Sequence, residues 1–355
     1  MVILQKRWLL GLGFVGVVIV LSIGMMKEIT SEKKEVSSQE KDDIEEVREI
    51  VEEDNYSNKE SVPSEYDDIS LPALMERKFN GRDLSLDRVV RETSLYTEYF
   101  ITYTSGDFTI SGILNIPKGE VPEGGFPVLF LNHGYIDPAV YTNGRGLRRE
   151  QDYLARQGFA ILHSDYRNHA QSDKDESNEV SFRLGYVEDV INAVEAVKNS
   201  DREELSKTRF GMLGHSMGGG IAQTIMVVRP DLVQAFVLYA PVSSDARENY
   251  ERWTSRRFET AQYIKDTYGL PEESPLFWDQ ISPNTFFDRV QSPVMIFHGT
   301  NDESCDIAWS RQSRDTLLSF GKDVSLVEYE NEKHEFGPQH RDFMQSSSQF
   351  FKENL

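Results

Sequence analysis

The densest chemical signal in the chain is Phe210-Gly-Met-Leu-Gly214-His215-Ser216-Met217-Gly218-Gly219-Gly220. It sets Gly-x-Ser-x-Gly between an apolar run and the apolar helical pattern Ile221 to Val228. A strand-to-helix turn of this kind is too tight for side chains two positions either side of the serine, hence Gly214 and Gly218. It throws the Ser216 hydroxyl clear of the strand, and the next helix aims its N-terminal dipole at the same place. A hydroxyl alone is a poor nucleophile. It needs a base, and the base needs an acid to orient it.

Seven histidines are available: 133, 163, 169, 215, 298, 334 and 340. His215 lies inside the turn and points away from the serine, and His163 falls at a strand end. His334 follows the last apolar run, in Glu330-Asn-Glu-Lys-His334-Glu-Phe-Gly337, and is the candidate base; His340 opens a helix and is the spare. The preceding apolar run ends in His298-Gly-Thr-Asn-Asp302, which leaves Asp302 at a strand tip as candidate acid, with Glu303 and Asp306 in reserve. Ser216, Asp302, His334 is the chain order of the α/β-hydrolases, and strand tips are where parallel sheets hold ligands.

An acyl transfer also needs two backbone donors for the oxyanion. The N–H of Met217, directly after the serine, supplies one. Leu131-Asn-His133-Gly134-Tyr135 follows the first parallel strand and offers the N–H of Tyr135 as the second. His163-Ser-Asp165-Tyr-Arg-Asn-His169 holds three potential metal ligands, but no further histidine cluster completes a site, so neither a metal nor a cofactor is expected. The single cysteine, Cys305, rules out an internal disulfide; its free thiol, three residues past Asp302, is expected to be open to oxidation.

These residues need a scaffold, and the pattern supplies one. Glu98 to Tyr103 and Thr109 to Ile116 alternate around Ser105-Gly-Asp107 as a hairpin. Continuous apolar runs follow at Val128 to Leu131, Phe159 to His163, Phe210 to Leu213, Ala235 to Tyr239 and Val294 to Phe297, with a last strand at Val324 to Tyr329. Helical patterns lie between them: Leu147 to Arg156, Leu184 to Val197, Met217 to Val228, Trp309 to Phe320 and Asp342 to Lys352. The expectation is an α/β fold, a mostly parallel central sheet flanked by helices. Residues 243–289 are too long for one crossover helix and rich in aromatics, and read as a small helical cap whose aromatics chiefly form its own core.

The chain has 355 residues, 38 of them basic and 59 acidic, for a net charge of −21. An acidic surface repels phosphates, so no nucleic-acid partner is expected. Trp8 to Met26 are 19 residues without a charge, preceded by Lys6 and Arg7. As a helix they would reach about 28 Å, close to the hydrocarbon thickness, and the two cations place the N-terminus in the cytoplasm. Residues 1–26 therefore read as a transmembrane anchor, with secretion after signal cleavage as the alternative. Residues 27–68 hold 16 acidic and six basic residues and few large apolar ones, an acidic disordered tether. Residues 69–90 lead into a catalytic domain over 91–355, placed outside the cytoplasm.

Residues 91 to 355 resemble an α/β-hydrolase of the prolyl oligopeptidase type, a group that includes lidded esterases. The resemblance is carried by Asn132-His-Gly, Asp165-Tyr-Arg, Gly214-His-Ser-Met-Gly-Gly219, Ala240-Pro241 and Ser292-Pro-Val-Met-Ile-Phe-His-Gly-Thr-Asn-Asp302, ending with Gly321 to Tyr329 and His334. It implies Ser216 as nucleophile, His334 as base and Asp302 as its partner. Cys305-Asp306 stands where the family often has Val-Pro. Anchor and tether occupy the place of the β-propeller found in many oligopeptidases, and no paired-glutamate helix for a peptide amino terminus is recognisable. The expected activity is cleavage of short peptide amides or small acyl esters through an acyl-enzyme. Carboxylesterase or lipase-like hydrolysis is the alternative, and a non-catalytic surface-binding protein of the same fold the remoter one.

Overall fold

A computed structural model describes residues 69–355. The expected anchor at 1–26 and tether at 27–68 lie outside the described residues; among those described, no helix is long and apolar enough to cross a membrane.

The backbone of the molecule is a nine-stranded sheet in the order β1-β2-β3-β5-β4-β6-β7-β8-β9. Its strands are β1 Arg82–Glu92, β2 Tyr96–Ser105, β3 Phe108–Pro117, β4 Phe126–Asn132, β5 Ala160–Ser164, β6 Leu205–His215, β7 Ala235–Tyr239, β8 Val294–Gly299 and β9 Val324–Tyr329. β1 to β3 form an antiparallel meander, and β3 joins β5 antiparallel. From β5 through β4, β6, β7 and β8 to β9 every pair is parallel. The hairpin turn at Gly106 and the parallel runs thus follow the hydrophobic pattern.

Alternation within each central strand feeds two cores. Val128 and Phe130 of β4 point to one face, with Met212 and Leu238 of β6 and β7. That face is covered by α1 Leu71–Glu76, α3 Leu184–Asn199, α4 Met217–Val228 and α8 Ile307–Ser319. Leu129 and Leu131 point to the other, where α2 Arg148–Arg156 and α9 His340–Asn354 bring Leu154, Phe343 and Phe351.

The segment 69–90, expected as a lead-in ahead of a domain starting at 91, belongs to the domain itself. Leu71 and Leu74 are 0% and 1% exposed within the first core, a burial worth about 1.5–3 kcal/mol for each side chain. Arg82–Glu92 is the first strand of the sheet. It was hard to read because it is an edge strand, exposed at nearly every position and interrupted by register shifts against β2.

Between β7 and β8 run α5 Ala246–Arg252, α6 Phe258–Tyr268 and α7 Pro275–Gln280, joined by short 3-10 turns. They enclose a third, small core of Ile264, Tyr268, Phe277, Trp278 and Ile281, into which Phe182 of the body packs.

Candidate active site

Ser216 separates β6 from α4 and takes φ 56°, ψ −119°, a left-handed conformation that a non-glycine residue holds only where its surroundings over-determine it. Its N–H donates to Tyr239 O at 3.0 Å, which anchors the turn to β7. A Cβ on Gly214 would lie 2.2 Å from Gly218 O, and one on Gly218 only 2.0 Å from Asn132 O. No larger residue fits either place. Met217 opens α4, so its N–H has no partner within the helix. The His133–Tyr135 turn abuts the serine, since a Cβ on Gly134 would sit 3.1 Å from Ser216 Cβ.

Asp302 follows β8, and its side chain is shielded from solvent with both oxygens taken up. Oδ1 accepts the N–H groups of Ser304 at 2.8 Å and Cys305 at 3.0 Å. Oδ2 accepts Nδ1 of His334 at 2.8 Å and lies 3.2 Å from Nε2 of His298. Burial alone would raise its pKa. The hydrogen bonds from His298, His334 and Cys305 outweigh that and hold the carboxyl well below the usual range. His298 is itself fixed, its Nδ1 accepting from Ser310 Oγ at 2.7 Å and its Nε2–H shared with Cys305 O at 3.1 Å.

The loop that carries His334 is pinned from below. Glu332, nearly buried, accepts the N–H groups of Gly337 at 2.7 Å and Gln339 at 2.5 Å. Tyr239 Oη accepts Phe336 N–H at 2.7 Å. His215 supports the histidine directly: its Nε2 donates to His334 O at 3.2 Å, and the rings lie tilted against each other at 4.6 Å between centroids. Burial, and next the proximity of His334, push the His215 pKa down to about 4, so it stays neutral.

The alternative groups have other work. His340, at the start of α9, donates to Glu150 of α2 at 2.8 Å. Asp306 caps α8 through Ala308 N–H at 2.9 Å, and Glu303 pairs with Lys333 on the surface. Asp165 receives four donors, Ser111, Tyr141, Asn143 and the Gly144 N–H, while His169 bonds two backbone carbonyls. His163 stacks on His133 at 5.3 Å. Among the described residues no cluster of three potential metal ligands occurs.

The expected oxidation of Cys305 does not fit its setting. The thiol is fully buried, 3.9 Å from Ser216 Oγ, and burial followed by the Asp302 charge pushes its pKa up to about 12. A buried thiol that holds its proton is unreactive.

Ser216 and His334 line one cavity of about 390 Å³ between the sheet and the cap. Leu184, Val187, Ile221 and Ile281 give it apolar walls, and Tyr250 and Trp253 of the cap close it. Glu179, Arg183 and Arg257 stand in the same lining, a charged group that no local sequence pattern announced. His298 was also missed, although its place four residues before Asp302 is the trace it leaves in the sequence.

A mostly parallel sheet with such a serine elbow at the C-terminal end of an inner strand is an α/β-hydrolase fold. The prolyl oligopeptidase family model matches residues 145–355, more than half of the sequence, and the chain belongs to that family. It is similar to the uncharacterized peptidase YuxL of Bacillus subtilis, 27% identical over 276 residues, which are 77% of this chain and 40% of that one. The chain thus spans well under half the length of that relative. Among solved structures it resembles Pyrococcus horikoshii acylaminoacyl peptidase, with a TM-score of 0.62 and 20% identity over 74% of this chain and 42% of that one. It also resembles acetyl xylan esterase from Paenibacillus sp. R4, with a TM-score of 0.63 and 20% identity over 85% of this chain and 98% of the esterase.

Proposed function

We infer that the protein is a serine hydrolase that cleaves short peptide amides or small acyl esters through an acyl-enzyme. The observation that carries this reading is the buried Asp302 bonded to His334 Nδ1 at 2.8 Å, with His334 and Ser216 lining one cavity. Nδ1–H held by the carboxylate leaves Nε2 as the basic nitrogen. His334 takes the Ser216 proton as Oγ attacks the carbonyl, and returns it to the leaving amine or alcohol. The N–H groups of Met217 and Tyr135 hold the oxyanion. Water, activated by the same histidine, then releases the acid and regenerates the serine.

Family membership supports a peptidase. An esterase is the second reading, favoured by the match to nearly the whole length of the Paenibacillus esterase. A fluorophosphonate probe should label the wild-type chain and not Ser216→Ala; labelling of the variant would sink the assignment. Turnover of p-nitrophenyl esters set against aminoacyl and prolyl amides separates the two readings.

The N-terminal stretch supports a membrane-anchored enzyme with its catalytic domain outside the cytoplasm. Trp8 to Met26 is long enough and free of charge, with Lys6 and Arg7 before it. Fractionation tests it: the full chain should remain with membranes in high salt and be released by detergent, whereas recovery of a shortened soluble form would favour signal cleavage.

A further inference from the structure

The charges around the cavity narrow the substrate. Glu179 and Arg183 reach it from the segment before α3, and Arg257 reaches it from the cap. Arg183 donates Nε and Nη2 to the Glu179 carboxylate at 3.0 and 2.8 Å, and Arg257 adds Nη1 at 2.7 Å. One carboxylate shared by two guanidiniums leaves this group with an unbalanced positive charge. Burial opposes ionisation of Glu179, but the two arginines hold its pKa below the usual range. It is therefore not a free anion waiting for a substrate amine.

The arginines retain donors for a ligand. Among the described residues, Nη1 of Arg183 faces only the Met217 thioether, at 3.3 Å. Sulfur of this kind is a weak acceptor that a charged oxygen would readily replace. Met217 is the residue next to Ser216, so this donor stands beside the reacting centre. Tyr135 carries both guanidiniums over its ring, at 4.9 Å for Arg183 and 5.2 Å for Arg257, and keeps them facing the cavity.

The backbone is bent to achieve this. Phe182 and Arg183 take φ 52° and 60° in succession, a costly pair for non-glycine residues and a type of strain that gathers at functional sites. The bend sends Phe182 into the cap core and Arg183 to the cavity. Among the described residues that line the cavity, Glu179 is the one carboxylate, set against Arg183 and Arg257, so nothing else in the lining cancels the charge. All this occurs in a chain of net charge −21.

The geometry points to Arg183 and Arg257 as an anion-recognition element, and to a substrate that carries a carboxylate on the part held in the cavity, its hydrocarbon against the apolar walls. The assignment of a substrate class rests on the hydrolase reading above.

Equilibrium binding to the full chain carrying Ser216→Ala tests this without turnover. Monobenzyl succinate presents a carboxylate, and benzyl methyl succinate is its neutral counterpart. The hemiester should bind more tightly by about tenfold or more. Arg257→Gln on the same background should abolish most of that ratio and Arg257→Lys should keep it; Arg183→Gln is the second variant, since Arg257 also ties down the cap. Equal binding of the two compounds, or a ratio that neither arginine variant moves, overturns the proposal. Hydrolysis of the hemiester by the unmodified chain is read separately. Hydrolysis without a binding preference overturns only the anion element, whereas preference in a chain whose Ser216 a fluorophosphonate does not label overturns the hydrolase reading and with it the substrate assignment.

Discussion

Nδ1 of His334 lies 2.8 Å from Oδ2 of Asp302, and that oxygen is also 3.2 Å from Nε2 of His298. One carboxylate oxygen thus holds two imidazoles. Only the first of them lines the cavity. The second ties Asp302 to Ser310 on α8, so the acid is fixed independently of the histidine it orients.

The arrangement predicts that Asp302→Asn folds but loses turnover of a p-nitrophenyl ester by roughly three to four orders of magnitude, because an amide can hold His334 in the wrong tautomer. Steady-state kinetics beside a circular dichroism spectrum check this. A loss of less than tenfold would contradict the role given to Asp302.

Cys305 should resist modification in the folded protein. Its thiol is held protonated up to a pH of about 12, so a disulfide reagent at pH 8 should react in urea and only very slowly without it. The same shift fixes a sign in stability. The folded state keeps a proton that the unfolded chain loses near pH 8.5, so stability falls as pH rises from there towards 12. Cys305→Ser should flatten that fall in a pH series of urea midpoints.

Acid acts through buried histidines. His133 and His163 have pKa values pushed down to about 3, and His215 to about 4, each chiefly by burial. The unfolded chain takes up protons near pH 6.5 that the folded state refuses, so stability is lost as pH falls from about 6.5 towards 4. His163, which stacks on His133 and has neither ring nitrogen hydrogen-bonded, is the one to replace. His163→Phe should preserve the stack and make the midpoint temperature decline less steeply below pH 6.5. An unchanged decline would place the acid sensitivity elsewhere.

Glu332 should matter beyond its distance from the chemistry. Its two oxygens hold the backbone of the loop that presents His334, through Gly337 and Gln339. Glu332→Ala is expected to cost about 3–6 kcal/mol in a denaturant titration, the range for losing two hydrogen bonds to a charged group. It should also lower kcat more than it raises KM, because the loop positions the base.

Much of the scaffold was legible because it is periodic. Ala235–Tyr239, Val324–Tyr329 and Met217–Val228 fall where the apolar runs place them. The elbow was legible because its chemistry is local: the glycines at 214 and 218 are required by the turn that contains them. The edge strand Arg82–Glu92 was not, since a strand with one neighbour and little burial has no need of alternating apolar residues. Nor was the bond between Glu179 and Arg257, which joins residues 78 positions apart across a cap whose orientation no single segment encodes. Burial of the Cys305 thiol was equally invisible, because it depends on the acid loop folding over Ser216.

Glu179 grips one arginine of the body and one of the cap. All three side chains remain partly open to solvent, where dissolved salt weakens ion pairs over a Debye length of about 8 Å at physiological strength. Ionic strength therefore acts twice at one place, loosening the cap's hold on the body and dimming the field that would draw in an anion. An enzyme built this way would have its selectivity tuned by the salinity of its surroundings, without any dedicated sensor.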